Sequence, residues 1–245
     1  MPELPEAEVA ARQLRERVVG ATVRDCWIGR EDIVREGLPS LDQYRQAKIA
    51  GVERKGKSVI LHFLCGKEPR FLVAELGMTG LLLFRSTLTK HPQHTHFILH
   101  LDGCCEPDIR YWNPRRFGRL SLLDQAGLDR YVARRFGHDP LTISHEQFLR
   151  VLRATRSRLK SLLMHQQVIA GIGNIYANEI LFRSRLHPNQ PSNSIPGKSI
   201  TRLHQVMGEV LREAIAMGGS SVRDYFAPDG TEGQYKRRHL VYATA

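Results

Sequence analysis

The chain has 245 residues, of which 42% are hydrophobic, and its 36 basic against 25 acidic residues give a formal net charge of +11. This length is enough for one large domain or two smaller ones, and no apolar run approaches the ~18 residues of a membrane span. The charge predicts a polyanionic partner. Nucleic acid is favoured over an anionic membrane because the sequence has no basic amphipathic segment with an aromatic face. A generically basic protein is the alternative interpretation.

The four cysteines, at positions 26, 65, 104 and 105, form no C-x-x-C pair. We therefore expect neither a disulfide framework nor a zinc site. The acidic N-terminus is unlike the start of a signal peptide. These features favour a protein of the reducing cytoplasm.

The chain begins with the segment Met1-Pro-Glu-Leu-Pro-Glu-Ala-Glu8. Because proline is small, we expect removal of the initiator methionine, which leaves a free secondary amine on Pro2. Such an amine, with a pKa near ~8, is partly neutral at neutral pH and can attack an aldehyde-level carbon to give an iminium ion. Glu3 offers a carboxylate for proton transfer. Many proteins begin with Met-Pro and use the proline for nothing, so this motif alone leaves both interpretations open.

A helix is predicted directly after this motif. Pro5 suits the first helical turn, Leu14 and Val18 continue an apolar face, and Gly20 ends the helix. From residue 21 to about 123 the pattern changes to short strands separated by turns. The clearest cover 58–64, 71–74, 96–101 and 111–123. Strands without intervening helices indicate an antiparallel sandwich or barrel.

After residue 127 the sequence is helical in pattern. Predicted helices cover 128–136, a segment opened by the capping box from Ser144 to Gln147, 159–167, 175–182 and a segment around 203–214. We therefore predict an α+β protein. A β-sandwich flanked by helices would occupy residues 1–127, and a helical domain would occupy residues 128–245.

Several segments could carry chemistry, and each has a structural alternative. Lys57 is either a general acid or phosphate contact, or a solvated turn residue. The segment Asn113-Pro-Arg-Arg-Phe-Gly118 could enter a duplex with Phe117 as a wedge and Met78 as a second one, or Phe117 could lie in the core. The segment Gly171-Ile-Gly-Asn174 could approach a phosphate, or simply join two helices.

Two further groups of residues bear on binding. Five cations with no acid among them lie at Arg150, Arg153, Arg156, Arg158 and Lys160. Four histidines, at positions 91, 94, 96 and 100, could suggest a metal, but strand periodicity explains the last three and no carboxylate completes a site. We predict no metal site. No strand precedes the Gly-rich turn, which excludes dinucleotide binding.

Together these motifs resemble the formamidopyrimidine-DNA glycosylase family, bacterial base-excision repair enzymes related to endonuclease VIII. The similarity extends from Met1 to about Tyr242. The matching segments are residues 1–6, Lys57, 76–80, 113–118, 170–179, 218–225 and Asp229-Gly230. The Pro-Arg-Arg-Phe-Gly and Ile-Tyr-Ala-Asn-Glu sequences fit the oxidised-purine branch better than the endonuclease VIII branch.

The resemblance implies a β-sandwich and a helix–two-turn–helix domain, with damaged or abasic double-stranded DNA in the cleft between them. It implies a DNA glycosylase and AP lyase with Pro2 as Schiff-base nucleophile, Glu3 as acid/base and Lys57 assisting the lyase step. The residues that would fill the void left by the flipped base are Met78, Arg115 and Phe117. Those that would bind DNA, mostly at its phosphates, are His94, Arg115, Arg116, Arg156, Lys160 and Asn174. We expect a monomer that lies in the bacterial cytoplasm, associated with the nucleoid. We expect it to have no membrane partner.

The sequence departs from the family pattern in several places. The family normally continues beyond the position of Tyr242 into a four-cysteine zinc finger, whose arginine grips DNA, whereas this chain ends at Ala245. We therefore expect no zinc or other cofactor. Glu75 stands where a phosphate-contacting histidine is common, and we expect it to repel DNA. His165 stands where the family commonly has an aspartate. Thr155, next to Arg156, stands where the family often has a lysine. These departures keep open a rival hypothesis, a DNA-binding homologue with little or no turnover.

Overall fold

The computed structural model describes residues 2–66, 68–85, 92–221 and 225–242. Within these ranges the chain forms six α-helices, nine strands and short 3₁₀ turns. The helices are α1 (Leu4–Val18), α2 (Gln125–Arg135), α3 (His145–Arg153), α4 (Leu159–Leu163), α5 (Asn174–Ser184) and α6 (Gly197–Ala216). The strands are β1 (Thr22–Ile28), β2 (Val34–Glu36), β3 (Lys48–Lys55), β4 (Ser58–Cys65), β5 (Glu68–Glu75), β6 (Leu81–Phe84), β7 (Thr95–Asp102), β8 (Asp108–Trp112) and β9 (Arg119–Leu123).

Helix α1 begins as the sequence predicts. The Glu6 side chain turns back to accept the Glu3 backbone N–H at 2.7 Å, which satisfies a donor that the helix leaves unpaired. Leu14 and Val18 are fully buried on the predicted apolar face. The helix packs against β3 on one side and α6 on the other, so it joins the two parts of the molecule.

The strands form one hydrogen-bonded array in the order β2-β9-β5-β4-β3-β1-β7-β8-β6. Every pair in it is antiparallel except β2 with β9. Side chains from both halves of the array, such as Leu72 of β5 and Phe97 of β7, share one core. The array therefore folds over on itself, and the predicted α+β fold with an N-terminal sandwich is confirmed.

The prediction of one strand over 111–123 is wrong. The structure has two strands here, β8 and β9, separated by a turn. The turn forms because the buried Asn113 amide donates to the Gly118 carbonyl at 3.3 Å and accepts the Arg116 N–H at 3.1 Å. The helix predicted over 159–167 is also too long, since α4 ends at Leu163. Gln166 lies beyond the helix, and its side-chain amide donates a hydrogen bond to the Ile172 backbone carbonyl.

The helical part has its own core, built from α3, α4, α5 and α6. Helix α3 starts at the predicted capping box, with the Gln147 N–H donated to the Ser144 hydroxyl at 3.2 Å. Leu4 from the start of α1 joins this second core, which fixes the N-terminus of the chain to the helices. None of the described helices is long and apolar enough to cross a membrane.

Candidate active site

The Glu3 carboxylate lies at the junction of the two parts, at the N-terminus of α5. It is fully buried. Its oxygens accept the backbone N–H groups of Gly173 at 2.7 Å and Ile175 at 2.9 Å. The next residue, Leu4, donates its N–H to the Gly171 carbonyl at 3.0 Å. The N-terminal segment is therefore held against the Gly-rich turn that the sequence singled out, where the helix dipole favours negative charge.

Lys57 faces the same carboxylate from the turn between β3 and β4. A Cβ atom placed on Gly173 would lie 2.4 Å from the Glu3 carboxyl carbon and 2.6 Å from the Lys57 Nζ. The Lys57 ammonium and the Glu3 carboxyl therefore both face the space beside the Gly173 Cα. A side chain at position 173 would therefore force these two groups to move.

Burial governs the titration of this pair. Loss of solvent raises the pKa of Glu3 to about 7; Lys57 opposes the shift and the neighbouring Glu6 carboxylate adds to it. Burial also lowers the pKa of Lys57, against the attraction of Glu3 and Glu6. At neutral pH Glu3 is therefore poised between acid and base, as a proton-transfer group must be.

Pro2 is buried and precedes Glu3 directly. The backbone nitrogen of Pro2 therefore belongs to the residue directly before the one that carries the buried carboxylate. The structure brings together the three residues predicted to carry chemistry, Pro2, Glu3 and Lys57, although they come from two segments more than fifty positions apart.

A cavity of about 370 Å³ opens beside Lys57. Glu75 lines it, yet its carboxylate is 2.6 Å from the Arg35 guanidinium and 3.3 Å from that of Arg135. One negative charge against two positive ones leaves this group net positive. The expected repulsion of DNA by Glu75 is thus offset by charges that the sequence pattern did not reveal.

The two predicted wedge residues are on the surface. Phe117 is 57% exposed and Met78 is 36% exposed, so Phe117 does not lie in the core. Their loops touch, because a Cβ on Gly77 would lie 2.5 Å from the Gly118 nitrogen. The Arg115 guanidinium lies 5.1 Å from the centre of the Phe117 ring. The two adjoining loops therefore carry two exposed apolar side chains and one cationic side chain close together on the surface.

Asn113 organises this loop, a role that its sequence motif does not identify. Its side chain is fully buried and its Nδ2 donates to the Tyr111 hydroxyl at 3.1 Å. Its Oδ1 accepts from the Thr79 hydroxyl at 3.3 Å, which ties together the two loops. An Asn-Pro pair signals a turn, but only the fold shows that the amide faces inward.

Two of the predicted DNA-binding residues flank this loop. The His94 carbonyl accepts the Asn113 N–H at 2.9 Å, and the His94 ring lies 6.2 Å from that of Trp112. Arg116 has a positive φ of 54°, and its guanidinium is 3.8 Å from Asp32. Together with Arg115, they form the sheet side of the predicted interface.

The other three predicted DNA-binding residues lie in the helical part. Asn174 is the first residue of α5, next to Gly173, and is half-buried. Lys160, in α4, is half-buried, and Arg156 is exposed just before that helix. His165, which departs from the family pattern, is also exposed. The predicted residues thus fall into two groups, one on each part of the molecule.

The histidines considered for a metal have other contacts. The His96 Nε2 is 3.1 Å from the Asn113 carbonyl, and the His100 Nδ1 is 2.7 Å from an Asp108 carboxylate oxygen. His91 lies outside the described residues. Among those described, no three histidine, cysteine or acidic side chains are grouped to hold a metal ion.

Gln166 is a second site residue that no sequence motif identifies. Its Oε1 accepts the Gly171 N–H and its Nε2 donates to the Ile172 carbonyl, both at 2.8 Å. The amide therefore fixes the turn that positions Glu3. A glutamine after a helix carries no local pattern that would identify this role.

The Gly173 geometry gives a first prediction. Gly173→Ala should cost stability by roughly 1–3 kcal/mol, because the added methyl group must displace Glu3 and Lys57. Thermal unfolding would measure the loss. Gly197→Ala, where a Cβ meets nothing within 4 Å, is the matched control. An unchanged melting temperature for Gly173→Ala would contradict this geometry.

Comparison with known proteins places the chain in a class. Residues 1–120 match the model of the formamidopyrimidine-DNA glycosylase N-terminal domain, and residues 136–225 match that of the formamidopyrimidine-DNA glycosylase H2TH domain. A formamidopyrimidine-DNA glycosylase of Thermus thermophilus is 38% identical over 247 residues, covering 99% of this chain and 87% of the relative. One of Thermomicrobium roseum is 36% identical over 258 residues, covering 99% of this chain and 88% of the relative.

Solved structures of similar proteins agree with this class. The Thermus thermophilus MutM (Fpg) crystal structure superposes with a TM-score of 0.85 at 37% identity, covering 99% of this chain and 87% of that one. Lactococcus lactis Fpg bound to DNA containing N7-benzyl-Fapy-dG gives a TM-score of 0.86 at 28% identity, covering 100% and 89%. The chain belongs to the formamidopyrimidine-DNA glycosylase family.

Proposed function

We propose that this protein is a bifunctional DNA glycosylase and AP lyase that removes oxidised purines from double-stranded DNA. The observation that carries the proposal is the buried Glu3 carboxyl, with a pKa of about 7, directly after Pro2 and against Lys57. A carboxyl that is close to half-ionised at neutral pH and lies next to a candidate nucleophile suits proton transfer.

The proposed reaction begins when the Pro2 nitrogen bonds to the sugar C1′ and the bond from C1′ to the ring oxygen breaks, with Glu3 giving its proton to that oxygen as the sugar opens. The Pro2 nitrogen then loses its proton, and its electron pair forms the iminium double bond as the bond from C1′ to the base breaks. The base leaves with the bonding electrons and takes up that proton. The Glu3 carboxylate then takes a proton from C2′, and the 3′ phosphate leaves by β-elimination, a step that Lys57 assists. Water finally hydrolyses the iminium ion and frees the Pro2 amine.

Base flipping would rest on the exposed loops. Removing a base from the stack costs a few kcal/mol and leaves a void in the duplex. Met78 and Phe117 are exposed apolar side chains on adjoining loops, and Arg115 stands beside the Phe117 ring. These properties suit groups that enter the void.

The rival proposal is a DNA-binding homologue with little or no turnover. The replacements at Glu75, His165 and Thr155 favour it, while the arrangement of Pro2, Glu3 and Lys57 favours the enzyme. A strand-cleavage assay on duplexes with an oxidised purine, an abasic site or no lesion separates the two. The enzyme proposal expects cleavage of the first two only. Tight lesion binding without cleavage of either would support the rival.

The wedge residues give a second prediction. Phe117→Ala and Met78→Ala should each slow excision from duplex DNA by about tenfold, because less of the cost of unstacking is offset. Both variants should keep the melting temperature of the parent protein, since both side chains are exposed. Single-turnover excision measures the effect. An unchanged rate in both variants would remove these residues from the flipping step.

Charge gives a third prediction. If the net charge of +11 supports about six phosphate contacts, the logarithm of DNA affinity should fall with the logarithm of salt concentration with a slope of roughly −5. Lys160→Ala should reduce the slope by about one. Fluorescence anisotropy across a salt series measures it. A flat dependence would contradict phosphate binding.

A further inference from the structure

A row of hydrogen-bonded side chains runs from the buried Glu6 carboxylate to His239. Glu6 is 1% exposed and one of its oxygens accepts from the Tyr176 hydroxyl at 2.6 Å. The Tyr176 hydroxyl is 3.2 Å from the Ser220 hydroxyl, which is 2.9 Å from the His239 Nε2. The row connects α1, α5 and the last described segment of the chain.

The chemistry of the groups sets the direction of these bonds. An ionised carboxylate only accepts, so the Tyr176 hydroxyl uses its single proton on Glu6. Tyr176 must then accept from the Ser220 hydroxyl, and Ser220 must accept from a proton on the His239 Nε2. Each donor therefore points toward Glu6, and bonds aligned in this way polarise one another.

The surroundings of His239 fit a neutral ring with its proton on Nε2. Its Nδ1 is buried and has no hydrogen-bond partner among the described residues. A second proton there would be an unpaired buried donor, and burial lowers the pKa of this histidine. The titratable and charged groups that face it are Tyr235, Tyr242, Glu179 and Arg183. Glu179 and Arg183 act in opposite directions on its pKa.

Glu6 and Glu3 form a coupled pair of buried carboxyls. Burial raises the pKa of both carboxyls, and two such groups close together do not both ionise readily at neutral pH. Glu6 holds three short hydrogen bonds, from the Tyr176 hydroxyl and the N–H groups of Glu3 and Ser220, at 2.6 to 2.7 Å. Glu3 has contacts of 2.7, 2.9 and 3.4 Å. The other titratable groups that act on the pair are Lys57 and Tyr225.

We propose that His239 is a positioning residue for this pair. Through Ser220 and Tyr176 it stabilises the ionised form of Glu6 and so leaves Glu3 as the carboxyl that carries the proton. Its kinetic consequence rests on the proposed function, in which protonated Glu3 is the acid. Its effect on the two carboxyls does not depend on that function.

Two substitutions at His239 test the kinetic consequence. His239→Leu removes the donor to Ser220, whereas His239→Gln keeps an N–H group at a similar distance from the backbone. With Glu6 less stabilised as an anion, Glu3 should lose its proton at lower pH. We expect His239→Leu to excise oxidised purines roughly threefold more slowly above pH 7, with little change at pH 6, and His239→Gln to recover most of the rate.

The control is His204→Leu. The His204 Nε2 is 2.8 Å from the Ile143 carbonyl, so this variant loses a comparable bond without touching Glu6. Its pH profile should match that of the parent protein. A merely structural role for His239 predicts a lower melting temperature with an unmoved pH profile, and equal rates for the Leu and Gln variants. That result would overturn the proposal.

A titration without DNA separates this proposal from the proposed function. Carbon-13 NMR of glutamate side chains would follow Glu3 and Glu6, assigned with Glu3→Gln and Glu6→Gln. We expect His239→Leu to move the Glu3 midpoint to lower pH and His239→Gln to restore it. An unmoved midpoint would overturn the role of His239 even in an active enzyme. A moved midpoint would support it even if the parent protein excised no base.

Discussion

Replacing Glu3 by glutamine should slow excision of an oxidised purine by about 10²-fold or more. Glutamine keeps the size of the side chain but cannot supply a proton, and one positioned acid or base commonly contributes about that factor. The amide would still occupy the buried site at the N-terminus of α5. Single-turnover excision from a lesion duplex gives the rate, and cleavage of a preformed abasic site should suffer less because the base is already gone.

The pH dependence adds a second test of Glu3. Because burial raises its pKa to about 7, the protonated fraction falls as the pH rises through 7. Excision by the unmodified protein should therefore fall relative to that by Glu3→Gln as the pH rises through 7, because deprotonation of the Pro2 amine affects both proteins alike. Glu16→Gln, an exposed position on α1, is the matched control. Equal excision by Glu3→Gln and the parent protein would exclude Glu3 as the acid.

Adding one residue before Pro2 should abolish covalent capture of DNA by borohydride. The extra residue turns the secondary amine into an amide, whose nitrogen is not nucleophilic, so no iminium ion can form for borohydride to reduce. DNA affinity should remain nearly unchanged, because the phosphate-binding candidates lie on other segments. A gel shift measures affinity and a denaturing gel measures capture on the same duplex.

A matched variant separates the amine from its ring. Pro2→Gly keeps a free N-terminal amine but loses the secondary amine and the fixed φ of proline. Capture should drop sharply without disappearing. Capture at the parent level by the extended protein would show that another amine, such as Lys57, carries the reaction.

The sequence predicts the elements whose causes are local. Helix α1 and the start of α3 follow from capping residues and apolar spacing, and both appear where predicted. Strand β7 follows from its alternating pattern. The strand over 111–123 fails because a buried amide, that of Asn113, breaks it, and the local pattern does not show which way an amide faces.

The residues of the candidate site also fall into two classes, those that sequence motifs predict and those that only the fold reveals. Pro2, Glu3 and Lys57 could be selected from their chemistry and the resemblance, since each belongs to a short motif. The partners that set their properties could not, because Gly173 meets Glu3 only through a contact 170 positions away in the chain. The same holds for the Arg35 and Arg135 guanidiniums that neutralise Glu75.

The most direct measurement is to identify the residue joined to DNA. The unmodified protein would be treated with borohydride on a duplex that contains an oxidised purine, and the covalent product digested and mapped by mass spectrometry. Our account predicts a mature chain lacking Met1, with the reduced sugar attached to the nitrogen of Pro2. Attachment at Lys57, or no covalent product on a duplex that the protein binds tightly, would contradict it.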